Sequence, residues 1–233
     1  MIDAESAGAA ERMDRIYRTQ RLIYDVTRRH YLLGRVALLK GLAPPPDGHV
    51  LEIGCGTAWN LIRAAGLYPD ARFYGLDVSS AMLDTARRAI ARRHLVPRIR
   101  LTLADATDFD AVALFGRAGF DRVLISYALS MIPGWERAVA LAAGAVGEGG
   151  SLHIVDFGAC EGLPRAFTKL LHTWLAQFSV TPRLDLELAL ARLASAQGLE
   201  LAFSPLHRGY AVHAVLTRPA VDAPARRFAA AGA

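Results

Sequence analysis

The sequence predicts an α/β fold in which a mixed, seven-stranded sheet is flanked by helices. Short apolar segments alternate with helical segments from residue 44 to residue 218, a pattern typical of parallel strands covered on both faces. The last two apolar segments are separated only by a short turn with Pro205 and Gly209, so we expect an antiparallel pair there. The 233 residues, 53% of them hydrophobic, suffice for one such domain with a sizeable core.

The first half of the chain begins with a helical segment and continues with alternating strands and helices. Apolar positions at helical spacing predict a helix from about residue 9 to residue 40, which the run Pro44 to Gly48 ends. Ser79 is a candidate N-cap because its hydroxyl can accept a hydrogen bond from a free helical N–H. The predicted elements are strand Val50–Ile53, helix Trp59–Leu67, strand Arg72–Leu76, helix Ala81–His94 and strand Ile99–Leu103.

The second half continues this alternation and then departs from it. A glycine-rich segment, Gly147 to Gly150, predicts a turn before the fifth strand. Two amphipathic helices then follow one another, and we expect residues 161–197 to be an insertion. The predicted elements are strand Arg122–Ser126, helix Trp135–Val146, strand Ser151–Val155, helices Leu163–Phe178 and Leu184–Gln197, and strands Leu199–Phe203 and Tyr210–Leu216.

The pattern divides the chain into three parts. Residues 1–43 form an N-terminal helical cap or substrate segment, residues 44–218 form the core domain, and residues 219–233 form a tail rich in Ala, Arg and Gly that we expect to be disordered.

Composition excludes several classes of protein. The two cysteines, Cys55 and Cys160, indicate neither a disulfide framework nor a metal site. No apolar run is long enough to span a bilayer and the start lacks a signal core, so we expect a cytoplasmic protein. The net charge of +5 favours anionic surfaces, but no nucleic-acid-binding motif accompanies it.

The turn after the first strand is the main candidate for a ligand site. Gly54 and Gly56 allow a sharp turn and a close approach of a ligand to the backbone. Asp77 ends the next strand, where a carboxylate suits the hydroxyls of a ribose. A dinucleotide would need a further glycine at Trp59. Glu52 would repel a pyrophosphate but tolerate a sulfonium or ammonium group.

The pattern E-x-G-x-G with the distal Asp77 resembles the cofactor motif of the class I S-adenosylmethionine-dependent methyltransferases. The resemblance implies a Rossmann-like domain that binds S-adenosylmethionine. One departure is Ala58, where these enzymes often carry a third glycine. The predicted cofactor residues are Glu52, Gly54, Cys55, Gly56, Thr57, Asn60, Asp77, Val78, Met82, Asp105, Ala106 and Ser126.

Ligands of such sheets lie at the carboxyl ends of the strands, and this rule selects further candidates. Asp105 follows the third strand and is placed to accept a hydrogen bond from an adenine amino group; the alternative is a turn cap before Thr107. An amine must lose its proton before it attacks a methyl group, and Tyr127 and Asp156 are the candidate catalytic proton acceptors. Each has a structural alternative, Tyr127 as core wall and Asp156 as loop carboxylate.

Three longer segments resemble the bacterial betaine-lipid N-methyltransferases, which methylate diacylglycerylhomoserine three times. They are YDVTRRHYLLGR, LFGRAGFDRVLISYALSMIPGW and VDFGACEGLPRAF. The resemblance implies a headgroup carboxylate paired with arginine and a cationic amine held against aromatic rings. The predicted substrate residues are Tyr17, Tyr24, Arg28, Arg29, Tyr31, Arg35, Tyr127 and Trp135. Because the three N-terminal tyrosines recur every seven residues, packing on the core is an alternative for them.

A lipid substrate implies contact with a membrane. The apolar face of the helix Leu163–Phe178, with Arg165, Lys169 and His172 off it, suits an anionic lipid surface; a lid helix or a dimer contact is the alternative. We therefore expect peripheral association with the inner membrane face, and a separate enzyme that makes the homoserine lipid. Rival acceptors are phosphatidylethanolamine, a quinone ring or a small amine. A non-enzymatic rival, based on Ala58, is an inactive cofactor-binding partner subunit.

Overall fold

The computed structural model describes residues 31–220, which form one seven-stranded sheet with helices on both faces. Residues 1–30 and 221–233 lie outside the described part, and with them most of the predicted N-terminal segment and tail. The strands are β1 (His49–Ile53), β2 (Arg72–Asp77), β3 (Ile99–Leu103), β4 (Phe120–Ser126), β5 (Val146–Phe157), β6 (Glu200–Leu206) and β7 (Ala211–Thr217).

The strand order is β3-β2-β1-β4-β5-β7-β6. The first five strands are parallel, whereas β7 runs antiparallel to both β5 and β6. This confirms the predicted fold class, a mixed seven-stranded Rossmann-like sheet with a terminal antiparallel pair. The strand order reverses between β1 and β4, and open sheets of this kind bind ligands at such a point.

The helices are α1 (Arg35–Gly41), α2 (Trp59–Leu67), α3 (Ser80–Ala91), α4 (Ala111–Phe115), α5 (Trp135–Gly144), α6 (Arg165–Ala176) and α7 (Leu186–Gln197). The buried side chains of α1, α2, α3 and α6 join one core cluster, and those of α4, α5 and α7 join another. The two clusters are carried by alternate residues of the central strands, such as Val50 and Leu51, so they occupy opposite faces of the sheet.

Three elements differ from the prediction. The helix predicted to run to Lys40 is interrupted at Gly34, whose φ is 85°, and only α1 continues beyond it. The glycine-rich turn at 147–150 belongs to β5, where the pairing with β4 shifts at a bulge. The short helix α4, capped by the Asp110 carboxylate, was not predicted.

The helix α1 is part of the packed core, although it precedes the Pro44 to Gly48 segment. Leu38, Leu39 and Leu42 are each at most 1% exposed and belong to the same cluster as α2. This packing holds Tyr31 to Arg35 close to the carboxyl ends of β4 and β5. Between residues 31 and 220, no helix is sufficiently long and hydrophobic to traverse a bilayer.

Candidate cofactor and acceptor site

The turn after β1 is tied directly to the end of β2. The Gly56 N–H donates to Asp77 Oδ2 at 2.7 Å, and the Ser79 N–H donates to Asp77 Oδ1 at 2.9 Å. Gly54 and Gly56 both have positive φ, and a Cβ on Gly54 would lie 2.8 Å from the Ala128 Cβ. Each oxygen of a carboxylate can accept more than one hydrogen bond, so Asp77 keeps capacity for ribose hydroxyls.

The residue that replaces the third glycine adopts the glycine conformation. Ala58 has φ 59° and ψ 26° and lies fully buried at the N-terminus of α2. This left-handed backbone costs a non-glycine residue about 1 kcal/mol. The turn therefore keeps its shape with alanine, at the cost of some strain.

A buried carboxyl group lies beneath this turn. Glu52 is 1% exposed, and its Oε1 accepts a hydrogen bond of 2.6 Å from the Asn60 amide. Burial raises the pKa of Glu52 to about 8, against the opposing effects of the Asn60 bond and the nearby Arg35 charge. Within residues 31–220, Glu52 Oε2 and Asn60 Oδ1 have no hydrogen-bond partner.

These unpartnered atoms fit a ligand that carries a cation. Burying polar atoms without partners is unfavourable, so a ligand that satisfies them gains affinity. The space beside the Gly56 Cα is open, so a ligand can approach this part of the backbone. The amino-acid part of S-adenosylmethionine offers an ammonium group to Glu52 and Asn60, and its ribose offers hydroxyls to Asp77. The residues present thus fit the predicted cofactor.

The other predicted cofactor residues contribute in different ways. The Cys55 side chain points into the core, where burial raises its pKa, so only its backbone faces the turn. Met82 is buried and donates its N–H to the Ser79 hydroxyl, as predicted for an N-cap. Ser126 ends β4. Thr57 lies in the turn, Val78 follows β2, and Ala106 is buried in the core cluster of α5.

Asp105 makes the turn that the structural alternative predicts. Its Oδ1 accepts hydrogen bonds of 2.7 Å from both the N–H and the hydroxyl of Thr107. None of the described residues donates to its Oδ2, and the residue as a whole is half-buried just after β3. One oxygen therefore holds the loop, and the adenine contact stays a prediction for the other.

A cationic stack that the sequence did not predict covers one side of the turn. The guanidinium of Arg35 lies 4.1 Å from the ring centroid of Trp59, and that of Arg63 lies 5.5 Å from it. Burial raises the pKa of Glu52 and of Tyr127, and the Arg35 charge opposes part of that rise in both. Trp59 was predicted only as an obstacle to a pyrophosphate; it holds Arg35 in place.

An aromatic pocket lies at the carboxyl ends of β4 and β5, beside the cofactor turn. Its cavity is small, about 10 Å³, within a looser volume of about 270 Å³ that includes open solvent. None of its lining residues is charged; they are Tyr31, Leu32, Tyr127, Met131, Phe157, Leu175, Phe178 and Val180. Trp174 packs edge-on against Tyr31 with ring centroids 4.9 Å apart. Of the predicted substrate residues, the structure places Tyr31 and Tyr127 here.

Tyr127 contributes its ring to the pocket and its hydroxyl to the core. The hydroxyl donates to the Leu33 carbonyl at 2.6 Å, and the side chain is 2% exposed. Burial, with the Asp156 charge nearby, raises the pKa of Tyr127 well above its usual value. A phenol held in this way is a poor proton acceptor, so the geometry favours the core-wall alternative over the catalytic role.

Asp156 is a buried carboxyl group beneath the loop that follows β4. It accepts hydrogen bonds from the Phe157 N–H at 2.8 Å and the Ser130 N–H at 3.3 Å. Burial raises its pKa to about 6. Asp156 anchors the loop behind the pocket and is not among the residues that line it. Its role as proton acceptor stays a prediction.

Trp135 was predicted to line the same pocket as Tyr127, but the structure places it elsewhere. It is 7% exposed, begins α5 and belongs to the opposite core cluster. The Arg183 guanidinium lies 5.9 Å from its ring centroid and binds the carbonyls of Leu129 and Ile132, each at 3.0 Å. The other predicted substrate residues, Tyr17, Tyr24, Arg28 and Arg29, lie outside the described residues.

Most of the pocket was not predicted as a site. Phe157 directly follows Asp156 at the end of β5, and the strand-end rule would have found it had it been applied to apolar residues. Leu175 and Phe178 belong to the predicted amphipathic helix. Phe178 was predicted to share one apolar face with Phe167 and Leu170, whereas the structure places Phe178 in the pocket wall and leaves Phe167 and Leu170 exposed.

The strand order and the glycine turn define a class of protein, the Rossmann-like domains that bind a nucleoside-containing cofactor. The profile of the methyltransferase domain matches residues 50–150. A phosphatidylethanolamine N-methyltransferase of Cereibacter sphaeroides is 31% identical over 151 residues, which cover 59% of this chain and 70% of that protein. The chain belongs to the methyltransferase family, among the class I S-adenosylmethionine-dependent enzymes.

Other relatives share the domain but differ in their acceptors. An O-methyltransferase of Penicillium expansum is 34% identical over 80 residues, 34% of this chain and 27% of that protein. Matches to several curated relatives cover only 18% to 37% of those proteins. A phosphoethanolamine N-methyltransferase of Haemonchus contortus, solved with S-adenosylhomocysteine, has a TM-score of 0.62 at 16% identity, covering 79% of this chain and 52% of that chain. That similarity shows a shared fold.

Proposed function

We propose that the chain methylates the amine of a membrane lipid, with diacylglycerylhomoserine as the acceptor and its trimethylated betaine lipid as the product. The observation that carries the proposal is the uncharged aromatic pocket beside the cofactor turn. The three segments that resemble betaine-lipid N-methyltransferases each contribute to this pocket, the first with Tyr31, the second with Tyr127 and the third with Phe157. The similarity to a protein named as a phosphatidylethanolamine N-methyltransferase also supports an amine lipid.

The pocket suits an amine that is methylated several times. Each methylation removes an N–H donor, so a site built on hydrogen bonds would lose contacts from one step to the next. Ring faces attract the whole series of ammonium groups through the charge alone. The rings of Tyr31, Tyr127, Phe157 and Phe178 line the pocket together with Met131, and the proposal assigns this attraction to them.

The chain contributes mainly by placing the acceptor. When bound, S-adenosylmethionine supplies an electrophilic methyl group, and its sulfonium becomes a neutral thioether once that group is transferred. Methyl transfer then requires that the nitrogen lone pair be close to that carbon and aligned with it. The apolar pocket lowers the contact of the nitrogen with water. The candidate acceptor for the proton that the nitrogen must lose is Asp156, which lies behind the loop and outside the pocket wall.

An anionic group on the headgroup would meet Arg35. This arginine stacks on Trp59 at the start of α2, and its charge opposes the burial-raised pKa of both Glu52 and Tyr127. A homoserine carboxylate can form a bidentate pair with a guanidinium. Phosphatidylethanolamine would present a phosphate instead, and it is the second candidate because of the relative from Cereibacter sphaeroides.

The test is a headgroup competition. Purified protein is incubated with S-adenosylmethionine and vesicles containing diacylglycerylhomoserine, phosphatidylethanolamine or both, and the products are read by mass. We expect stepwise gains of one, two and three methyl groups on the homoserine lipid. Gain on phosphatidylethanolamine alone would transfer the proposal to that lipid. No gain on either lipid, with cofactor binding intact, would refute both.

A variant in the aromatic pocket tests whether its rings are responsible for the repeated methylation. Phe178→Leu keeps an apolar side chain but removes a ring face, so we expect the second and third methylations to slow by about tenfold, because an exposed cation–π contact contributes roughly 0.5–1 kcal/mol and a desolvated one more. Phe115→Leu makes the same change on the opposite face of the sheet, where Phe115 packs against Phe120. It should leave the ratio of methylated products unchanged.

A further inference from the structure

The helix α6 buries only one of its sides. Leu175 is 1% exposed and Trp174 packs against the core, whereas Phe167 is 45% exposed and Leu170 is 70% exposed. The single apolar face that the sequence indicates is therefore two surfaces. One lines the acceptor pocket through Leu175 and the following Phe178, and the other is open to solvent.

The exposed side of α6 is basic. Arg165 and Lys169 are exposed, His172 is half-buried, and no residue from Arg165 to Ala176 carries a carboxylate. The turn between β6 and β7 adds to this charge, because the Gly162 N–H donates to the Arg208 carbonyl at 3.0 Å. That bond places the exposed Arg208 beside the start of α6. The nearest carboxylate in sequence is that of Glu161, one residue before Gly162.

We propose that this surface, formed by Phe167, Leu170, Arg165 and Lys169, docks on an anionic lipid bilayer. Exposed apolar side chains flanked by basic ones are the features of a helix that lies in the membrane interface. The inference rests on the proposed lipid acceptor, because docking brings the pocket on the other side of α6 to the surface from which a headgroup is taken. It extends that proposal by naming the residues that bind the membrane.

A bilayer fits this surface better than a second copy of the chain does. A stable protein interface buries about 800 Å² on each partner, with an apolar centre. Two exposed apolar side chains are too few to form such a centre. They suffice for weak and reversible membrane binding when basic residues add attraction to anionic headgroups. The like charges of Arg165, Lys169 and Arg208 would also repel their copies.

The test is co-sedimentation of the full chain, without cofactor, with vesicles of phosphatidylcholine with and without phosphatidylglycerol. We expect binding that requires phosphatidylglycerol and weakens with salt. The double variant Phe167→Ser and Leu170→Ser should reduce partitioning by about tenfold or more, since burying such side chains contributes more than 1.4 kcal/mol in total. Arg165→Gln with Lys169→Gln should remove the preference for phosphatidylglycerol.

The matched control is Val96→Ser with Val112→Ser. These valines are 63% and 53% exposed and lie beside β3, at the other edge of the sheet. The control should sediment as the wild type does, and thermal unfolding should show that every variant is folded. Unchanged sedimentation of the Phe167→Ser and Leu170→Ser variant would overturn the proposal. A wild type that is a dimer in solution and that this variant makes monomeric would overturn it too.

Failure of docking and failure of the proposed function are separable. A short-chain, water-soluble diacylglycerylhomoserine needs no membrane, so its methylation tests the acceptor alone. We expect the docking variant to methylate it at the wild-type rate and to lose activity only on vesicles. Equal loss on both acceptors would overturn the docking proposal, because it would show that Phe167 and Leu170 act on the pocket itself.

Discussion

Arg183 lies outside the aromatic pocket, yet it holds the loop that forms one wall of it. Its guanidinium bonds to the carbonyls of Leu129 and Ile132, while the Thr181 N–H donates to the Ser130 carbonyl at 2.8 Å. The same loop presents Tyr127 and Met131 to the pocket, and Val180 comes from the segment that carries Arg183. We therefore expect Arg183→Lys to disturb acceptor binding as well as stability.

The chain offers a closely matched control. Arg218 is half-buried like Arg183, and its guanidinium also bonds to two carbonyls, those of Val146 and Ala143, at 3.0 and 3.1 Å. These carbonyls lie at the end of α5 and at the start of β5, at the end of the sheet remote from the pocket. Arg218→Lys thus removes the same kind of bonds without touching the acceptor loop.

The expected magnitudes separate the two variants. A lysine can replace one of the two bonds at most, and a hydrogen bond with a charged donor contributes about 1.5 kcal/mol at the low end of its range. Each variant should therefore lose roughly 1.5 kcal/mol of unfolding free energy and about 3–6 °C in Tm. A displacement of the loop by ~1 Å can cost 100-fold in rate. We expect Arg183→Lys alone to lower kcat/KM for the acceptor by about tenfold or more.

The assay combines thermal unfolding, calorimetric binding of S-adenosylmethionine and steady-state methylation of a soluble acceptor. The cofactor dissociation constant should stay within twofold or so of the wild type in both variants, because neither arginine touches the turn after β1. If Arg183→Lys and Arg218→Lys lose the same stability and the same small fraction of kcat/KM, the loop has no special role and the reasoning fails.

Four further predictions follow from single residues. Because the pKa of Asp156 is raised to about 6, a role as proton acceptor requires kcat to decrease below that pH. Asp156→Asn should then remove this acidic decrease from the pH profile and lower kcat by ~100-fold or more. An unchanged acidic decrease would leave Asp156 only as an anchor of the loop. With the pKa of Glu52 at about 8, the unliganded carboxyl group is protonated at neutral pH, so cofactor affinity should rise from pH 6 towards about 8 with release of a proton, and Glu52→Gln should flatten that dependence in calorimetry. Burial lowers the pKa of His153 to about 4, so the neutral imidazole stabilises the fold above the ordinary pKa of 6.5, and this stability should be lost progressively as the pH falls towards 4. In denaturant unfolding, His153→Asn should lose less unfolding free energy over this pH range than the wild type does. Ala58→Gly relieves about 1 kcal/mol of backbone strain, but it removes a buried methyl group and raises the entropy of the unfolded chain, which each cost about 0.8 kcal/mol. The unfolding free energy should therefore change by less than ~1 kcal/mol, and the cofactor affinity should hardly change. A large gain in cofactor affinity would support the inactive-subunit alternative.

The central elements were predictable because their signals are local. The helix α2 and the strand β3 have the predicted bounds, and Ser79 caps α3 through the Met82 N–H. The break at Gly34 was not predictable in this way. A Cβ there would lie 2.8 Å from Leu206 Cδ1 and 3.2 Å from Val155 Cγ2, so a close approach to distant strands explains the glycine. One sequence contains the glycine but not the contact that requires it.

The site shows the same division between local and distant signals. The strand-end rule correctly places Tyr127 and Asp77 at the carboxyl ends of the strands, but it does not indicate on which face of the sheet a side chain lies. Tyr127 has φ 54° and turns its ring into the pocket, whereas Trp135 follows Gly134 and packs on the opposite face. The pocket is assembled from four segments, and periodicity within one segment cannot show such a juxtaposition.

The position of Arg35 bears on how this protein would choose between lipids. Its guanidinium stacks on Trp59, and its charge opposes the burial-raised pKa of both Glu52 and Tyr127. A carboxylate and a phosphate are both attracted by a guanidinium, so charge alone does not separate homoserine from phosphoethanolamine headgroups. Under the proposed function, the separation comes from the distance between the anionic group and the amine, which differs between the two headgroups. Competition between the two lipids therefore tests whether the site distinguishes that distance.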